Sequence, residues 1–247
     1  MCDACIGKTI ASTLAAKGML VAVNDLNGAS AESTVGELQA TGLVALAVPG
    51  DVRNKTEVTA MIDKVEAELG SLWLLVNNAG IYNAAATAEL SEEAWDKAMG
   101  VNAKGVFLTC QAAIKKMLPR GAGRIVNVSS IAGMIVRTDQ IAYSTAKAAV
   151  IHFSRCLAVE MDPYGITVNC LCPGMTSTDM LSVLANEHEL DRDAMVAQIP
   201  AGHMAQEEDH AHLIAYFASD GANHVTGQVV AVDGAQSLYH PLTATRI

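Results

Sequence analysis

The sequence lacks any excess of positive charge. Its 247 residues carry 16 Lys and Arg against 26 Asp and Glu, a formal net charge of −10, with a pI near 5.1. The basic residues are scattered singly, with only Lys115 and Lys116 adjacent, so no basic stripe exists for nucleic acid or an anionic lipid surface. No apolar run approaches the roughly 18 residues of a membrane span. Asp3, Lys8 and Lys17 interrupt the first segment, which therefore lacks the unbroken core of a secretion signal. Six cysteines in that setting read as reduced thiols. Linkers, repeats and low-complexity tracts are missing too. Together these absences predict a single cytoplasmic domain over 1–247 that has neither nucleic acid nor membrane as partner.

What is present is a rhythm. Half the residues are apolar and 17% are charged, enough for a well-buried core. Ile6, Ile10 and Leu14 repeat every four residues and mark a helix over 6–18; "MLVAVND" (19–25) is then an apolar strand ending in an acid. Helical "AESTVGELQAT", the strand "LVALAVPGD", amphipathic "KTEVTAMIDKVEAEL" and the strand "LWLLVNNAG" follow. Ser91 is an expected N-cap, with acids at Glu92 and Glu93 and a hydrophobic staple between Leu90 and Trp95. "RIVNVSS" (124–130), a long helix from Tyr143, "ITVNCLC" and "GQVVAVDG" complete the series. Continuous apolar strands separated by helices predict an α/β fold, a doubly wound parallel sheet covered on both faces.

The chemistry is concentrated in "YSTAK", where Tyr143 and Lys147 stand four apart on one helix face. Ser130 lies thirteen residues earlier, at a strand end, and Asn102 is a poor helix former inside an earlier helix. Alone, Tyr143 would read as a surface helix tyrosine and Ser130 as a turn residue. With "NNAG" (77–80) and "PGMTSTDM" (173–180) in the same order, the chain resembles the short-chain dehydrogenase/reductase family over essentially its whole length.

That resemblance implies a Rossmann-like domain and hydride transfer between a nicotinamide and a secondary alcohol or ketone. Tyr143 would be the general acid/base, Ser130 would hydrogen-bond the substrate oxygen, and Lys147 would hold the ribose and lower the tyrosine pKa. Asn102 would organise a proton route behind Lys147. A free phenol titrates near pH 10. A cation ~4 Å away at an effective dielectric of ~20 is worth roughly 4 kcal/mol, about three pK units, which would bring the phenol near neutrality.

For the cofactor, the resemblance places Asp25 on the ribose hydroxyls, where a carboxylate repels a 2′-phosphate; NAD is therefore expected over NADP. Standing alone, Asp25 would be a solvated loop acid. Asp51 and Val52 match the adenine-contacting pair, and Asn78, Ala79 and Gly80 the adenosine side of the cleft. Gly174, Thr176 and Thr178 match the loop that holds the carboxamide, while Tyr143 and Lys147 also bind cofactor. Ile6 and Gly7 match the end of the phosphate-binding glycine turn, at a helix N-terminus that offers free N–H groups.

The opening "MCDACIGKTIASTLAAKG" departs from the family. Aligning Ile6-Gly7 with the end of the glycine motif puts Cys5 at the middle glycine and Met1 at the first, and the family's central first strand has no counterpart. Two costs are expected: unpaired edges on its two neighbours, and a Cβ where bare backbone should approach a pyrophosphate. "CDAC" alone does not make a metal site, and none is expected. Cys170 and Cys172 alternate on a strand and read as sheet packing.

The substrate pocket is expected to be walled by Tyr82, Met134, Ile135, Val136 and Gln140, with Arg137 the nearby cation and 180–204 as lid. Glu187, Glu189, Asp191 and Asp193 read as a solvated face, and His188 and His203 as surface residues. An uncharged ketone or secondary alcohol fits such walls. The resemblance also implies a homotetramer or homodimer, with the two long helices as an interface and "LYHPLTATRI" against a neighbour. Two alternatives remain: a catalytically weakened or silent member with impaired dinucleotide binding, and a same-scaffold epimerase or lyase.

Overall fold

The computed structural model describes residues 5–178, 181 and 191–239. Cys2, Glu187, His188, Glu189 and the C-terminal stretch from His240 lie outside them, so the expectations for the lid acids and the tail do too. Strands and helices alternate: α1 (Ile6–Ala16), β1 (Val21–Val23), α2 (Gly28–Ala40), β2 (Ala45–Ala47), α3 (Lys55–Leu69) and β3 (Leu74–Asn77). Then come α4 (Glu92–Met99), a π turn (Gly100–Lys104), α5 (Gly105–Met117), β4 (Gly123–Val128), α6 (Ile141–Met161) and β5 (Ile166–Pro173). Helices α7 (Arg192–Val196) and α8 (Glu207–Ala218) and strand β6 (Val229–Val232) follow.

Local chemistry sets the boundaries. Asn27 and Asn54 cap α2 and α3 through their side chains, and Ser91 accepts from the Ala94 amide 3.1 Å away, as its place before two acids requires. Every residue of β4 and β5 is buried; most are apolar, and the buried Asn127 and Asn169 are hydrogen-bonded. These strands lead into the candidate site described below.

All strand pairs are parallel, but the sheet is in two pieces. β1 pairs with β2, Val21 opposite Ala45; β3, β4, β5 and β6 form a second sheet in that order. The division falls between β1 and β3, the two strands between which the family resemblance would set its first strand. Among the described residues, backbone bonds from β1 run to the β2 side, such as Val48 N to Val23 O at 2.9 Å, while β3 pairs only with β4. A slot separates them, with Val21–Val23 on one edge and Leu74–Val76 on the other. Ile10 and Leu14 of α1 cover one face of it, and Val58, Met61 and Val65 of α3 the other. β1 and β2 extend for only three residues each, shorter than their apolar runs over 19–25 and 43–51. Each is paired along a single edge, so little ladder exists to extend them.

Two residues beside the strands stand out. Ala235 adopts a left-handed backbone (φ 67°), a conformation costing about 1–2 kcal/mol for a residue with a Cβ. Trp73 stacks under the Arg124 guanidinium at 4.7 Å and donates its indole N–H to Ala218 O. No helix among the described residues is long and apolar enough to cross a membrane.

Candidate active site

Strand β4 ends at Ser129 and Ser130, and α6 passes beside that end. Ser129 Oγ donates to Lys147 O at 2.7 Å, and Gly133 lies so close to the same turn that a Cβ there would sit 2.7 Å from the Lys147 carbonyl carbon. Only a glycine permits that approach. It places Ser130, whose Oγ also accepts from Ala132 N, within hydrogen-bonding reach of the Tyr143 hydroxyl. Tyr82 packs edge-on against Tyr143, with ring centroids 5.3 Å apart.

One helical turn on, Lys147 is buried. Its Nζ lies 5.6 Å from the Tyr143 ring centroid and donates to Val128 O at 3.0 Å. Asn102 sits in the π turn, a local unwinding often found at functional sites. Its side-chain amide makes two bonds to Ile81: Oδ1 accepts from Ile81 N at 3.0 Å, and Nδ2 donates to Ile81 O at 2.9 Å. A Cβ on Gly80 would meet both Asn102 Oδ1 and Lys147 Nζ, so these two side chains flank one strip of bare backbone.

The electrostatics differ from the expected lysine-acidified phenol. Burial raises the Tyr143 pKa, the Ser130 hydrogen bond opposing it only in part. Lys147 is itself pulled down to about 8 by burial. Desolvation is the larger effect on the phenol, and the Lys147 ammonium spends its hydrogen bond on the Val128 carbonyl. A neutral, protonated phenol results at pH 7. Cys170 and Cys172 are fully buried in β5 and pack in the core beside α6, as their alternation implies.

This makes Lys147 a site where stability is spent. The unfolded chain, with an ordinary lysine, binds the proton up to about pH 10, whereas the folded chain releases it from about 8. The depression therefore destabilises the fold fully below pH 8, by about 3 kcal/mol, and the loss is recovered as pH rises from 8 toward 10.5. Lys147→Met is expected to melt above the parent at pH 7, with the gap closing by pH 10; differential scanning calorimetry across that range checks it. A gap independent of pH would mean that the lysine is not buried charged.

The residues expected to hold a cofactor surround the same cavity of about 1130 Å³. Ser130, Tyr143, Lys147, Ile6, Gly7, Asp25, Asp51, Val52, Asn78, Ala79, Gly80, Gly174, Thr176 and Thr178 all border it; Asn102 stands behind, fully buried. The first amides of α1 have no side-chain cap, and a Cβ on Gly7 would lie 2.8 Å from Asn78 Nδ2, so α1 meets the end of β3 backbone-first. Such an uncapped helix start can receive an anion. Cys5 is extended (φ −144°), a conformation any residue adopts without strain. Asp25 is exposed and accepts from Asn27 N at 2.8 Å. The Arg53 guanidinium beside Asp51, 2.6 Å away, holds that carboxyl below the usual range.

The substrate walls are partly as expected. Tyr82, Arg137 and Gln140 border the cavity, joined by Leu181 and Met195 from the lid side. Val136 is almost fully exposed and Ile135 packs against the core, so Met134, Ile135 and Val136 do not form the wall. The 3-10 turn Ile131–Gly133 directs the segment that follows it away from the cavity. Asp191 and Asp193 are exposed, with Asp191 capping α7, and His203 is exposed. One residue escaped sequence reasoning: His210, fully buried on α8 with Nε2 2.8 Å from Thr176 Oγ1. Its spacing with Ile214 and Phe217, both buried, was the available signal.

A family profile described as enoyl-(acyl carrier protein) reductase matches residues 2–235. The 3-oxoacyl-[acyl-carrier-protein] reductase FabG of Staphylococcus aureus is 39% identical over 230 residues, 93% of this chain and 92% of the relative. The chain belongs to the short-chain dehydrogenase/reductase family. Within that family, subunit BbsD of the (2S)-[(R)-hydroxy(phenyl)methyl]succinyl-CoA dehydrogenase of Thauera aromatica is 38% identical, covering 95% of this chain and 93% of its own length. Among solved structures, a gluconate 5-dehydrogenase from Burkholderia cenocepacia in complex with NADP and tartrate superposes with a TM-score of 0.90 at 31% identity, covering 96% of this chain and 92% of that one. A variant actinorhodin polyketide ketoreductase with NADPH gives 0.92 at 34%, covering 95% and 94%. The family membership makes this chain an oxidoreductase, and its two sheets, with helices on both faces, form the α/β Rossmann-like domain of those structures.

Proposed function

We propose that this protein interconverts a ketone and a secondary alcohol with NAD(H), Tyr143 acting as general acid/base. The observation that carries the reading is the convergence of Ser130, Tyr143 and Lys147 on one cavity whose far end is the uncapped N-terminus of α1. Ile6 and Gly7 would hold the pyrophosphate through backbone N–H groups, Asp25 the ribose hydroxyls, and Gly174, Thr176 and Thr178 the carboxamide end. When bound, the nicotinamide supplies or accepts the hydride.

The rest is done by the chain. Ser130 holds the carbonyl oxygen beside the Tyr143 hydroxyl. Because burial keeps the phenol protonated, Tyr143 is ready to donate its proton to that oxygen as negative charge develops there. Lys147, about half-ionised near pH 8, lies within the same buried group and can return a proton toward the phenol. Asn102 fixes the Ile81 backbone and so the floor beneath them. The mostly apolar wall suits an uncharged carbonyl compound, and the relatives named as 3-oxoacyl reductases act on a ketone. The homo-oligomer reading is supported by Phe107 and Val159, exposed on α5 and α6, with Phe107 stacked edge-on against Phe153.

NAD is proposed although two solved relatives hold NADP or NADPH. Asp25 closes the ribose end with a negative charge, and the nearby cations Lys8 and Arg53 are paired with Glu37 and Asp51. KM for NADH is expected to be at least about tenfold below that for NADPH, roughly 1.4 kcal/mol, and Asp25→Ser to narrow the ratio. Equal or better use of NADPH by the unaltered enzyme would overturn the NAD assignment.

A further inference from the structure

The loop after β5 is fastened along its backbone. Gly174 N donates to Val232 O, Met175 N to Gln236 Oε1 at 3.2 Å, Ser177 N to Ala205 O, and Ala205 N to Met175 O. Thr176, in the middle, is buried, and its side chain reaches α8, where His210 is fully buried among Ala211, Ile214 and Phe217. Thr176 Oγ1 lies 3.0 Å from Gly174 O and 2.8 Å from His210 Nε2. A hydroxyl has one proton. If it goes to Gly174 O, then His210 must donate through Nε2–H, and its Nδ1 keeps only a lone pair. Nδ1 is buried without a partner. An orphaned lone pair is more tolerable than an orphaned N–H, so the Nε2–H tautomer is the one this environment selects. Burial also disfavours the charged ring.

We propose that His210 is a positioning residue: it clamps Thr176 from behind, and thereby holds the 174–178 loop against the dinucleotide. The inference rests on the dinucleotide reading given above. A buried polar pair in an apolar helix interface is costlier than two aliphatic side chains of similar volume unless every bond is made, so it specifies one loop position rather than several. The same helix touches the other end of the cleft. Thr9 Oγ1 of α1 donates to Glu207 Oε2, at the start of α8, at 3.0 Å. Helix α8 thus sets the distance between the phosphate cradle on α1 and the loop at the opposite end.

The test compares His210→Leu, His210→Gln and Thr176→Val in the full chain. Gln carries an N–H close to the place of Nε2, whereas Leu fills the volume without a donor. For Leu, KM for NADH is expected to rise about tenfold with kcat changed less than about threefold; for both Leu and Val, amide exchange at 174–178 is expected to quicken. Gln is expected to restore KM to within about threefold. The Leu-Val double variant should be no worse than either single one. Nitrogen NMR of the unaltered protein should show His210 protonated at Nε2 and bare at Nδ1. Failure of Gln to rescue, additive losses, or the opposite tautomer would overturn the clamp. Should the unaltered enzyme fail to use any dinucleotide, the functional reading falls, while the NMR and exchange results still decide the clamp.

Discussion

Tyr143→Phe is expected to lower kcat for ketone reduction by about 100- to 10,000-fold, the range that one positioned acid supplies. The change removes a single oxygen atom and leaves the ring against Tyr82. KM for NADH should therefore stay within about threefold and the melting temperature should not fall. Steady-state absorbance at 340 nm with a panel of uncharged ketones measures the first, and calorimetry the second. The direction matters as well. Because burial holds the phenol above its ordinary pKa, reduction should persist across neutral pH and fall only as alkali removes the proton. Oxidation of the alcohol needs the phenolate and should climb with pH. Activity in Tyr143→Phe within tenfold of the parent would remove the acid/base assignment.

The slot between β1 and β3 gives the second large effect. Both edges run parallel and point their unpaired groups inward, so an inserted strand must be parallel to both and apolar on both faces. A six-residue Val- and Ile-rich segment joined ahead of Met1 is expected to fill it. The start of α1 lies against Asn78 at the end of β3, the side where such a strand would finish. Burial of about 1.5–3 kcal/mol per side chain, less about 1–2 kcal/mol per residue for ordering the backbone, leaves a gain on the order of 5 kcal/mol. For a chain of this size that is roughly 10–20 °C in melting temperature. A segment of equal length with alternating Asp should give nothing. Hydrogen exchange at Val21–Val23 and Leu74–Asn77 reports directly on the slot, and unchanged exchange there would show that the segment docks elsewhere or not at all.

What could be read beforehand was whatever depends on short spacings. Tyr143 and Lys147 meet because four residues make about one helical turn, and the strand "ITVNCLC" is buried at every position because it is mostly apolar and its Asn169 finds partners at Val225 O and Gln228 N. A gap between β1 and β3 was readable from the family alignment, yet the shortness of β1 and β2 was not. Strand length follows from partners, and partners lie elsewhere in the chain. The sign of the Tyr143 shift was beyond the sequence for a related reason. Spacing brings a cation near, but only packing by Tyr82 and the cleft walls decides whether desolvation wins. His210 went unseen because a histidine on an apolar stripe takes its meaning from Thr176, 34 residues away. Met134, Ile135 and Val136 were misplaced because a single 3-10 turn redirects them.

The π turn at Gly100–Lys104 also bears on how this rod of helix tolerates change. From Glu92 to Met117 the chain is continuous helix containing one surplus residue. Every side chain downstream is therefore swung about 100° from where an unbroken α-helix would aim it. Cys110, Ala113 and Met117 face the interior only because of that offset. Excising a single amino acid from 100–104 would not merely shorten a loop: it would spin the whole of α5, turning its inward stripe toward the solvent and its lysines toward the sheet. Length, at this one point, is as strictly constrained as identity.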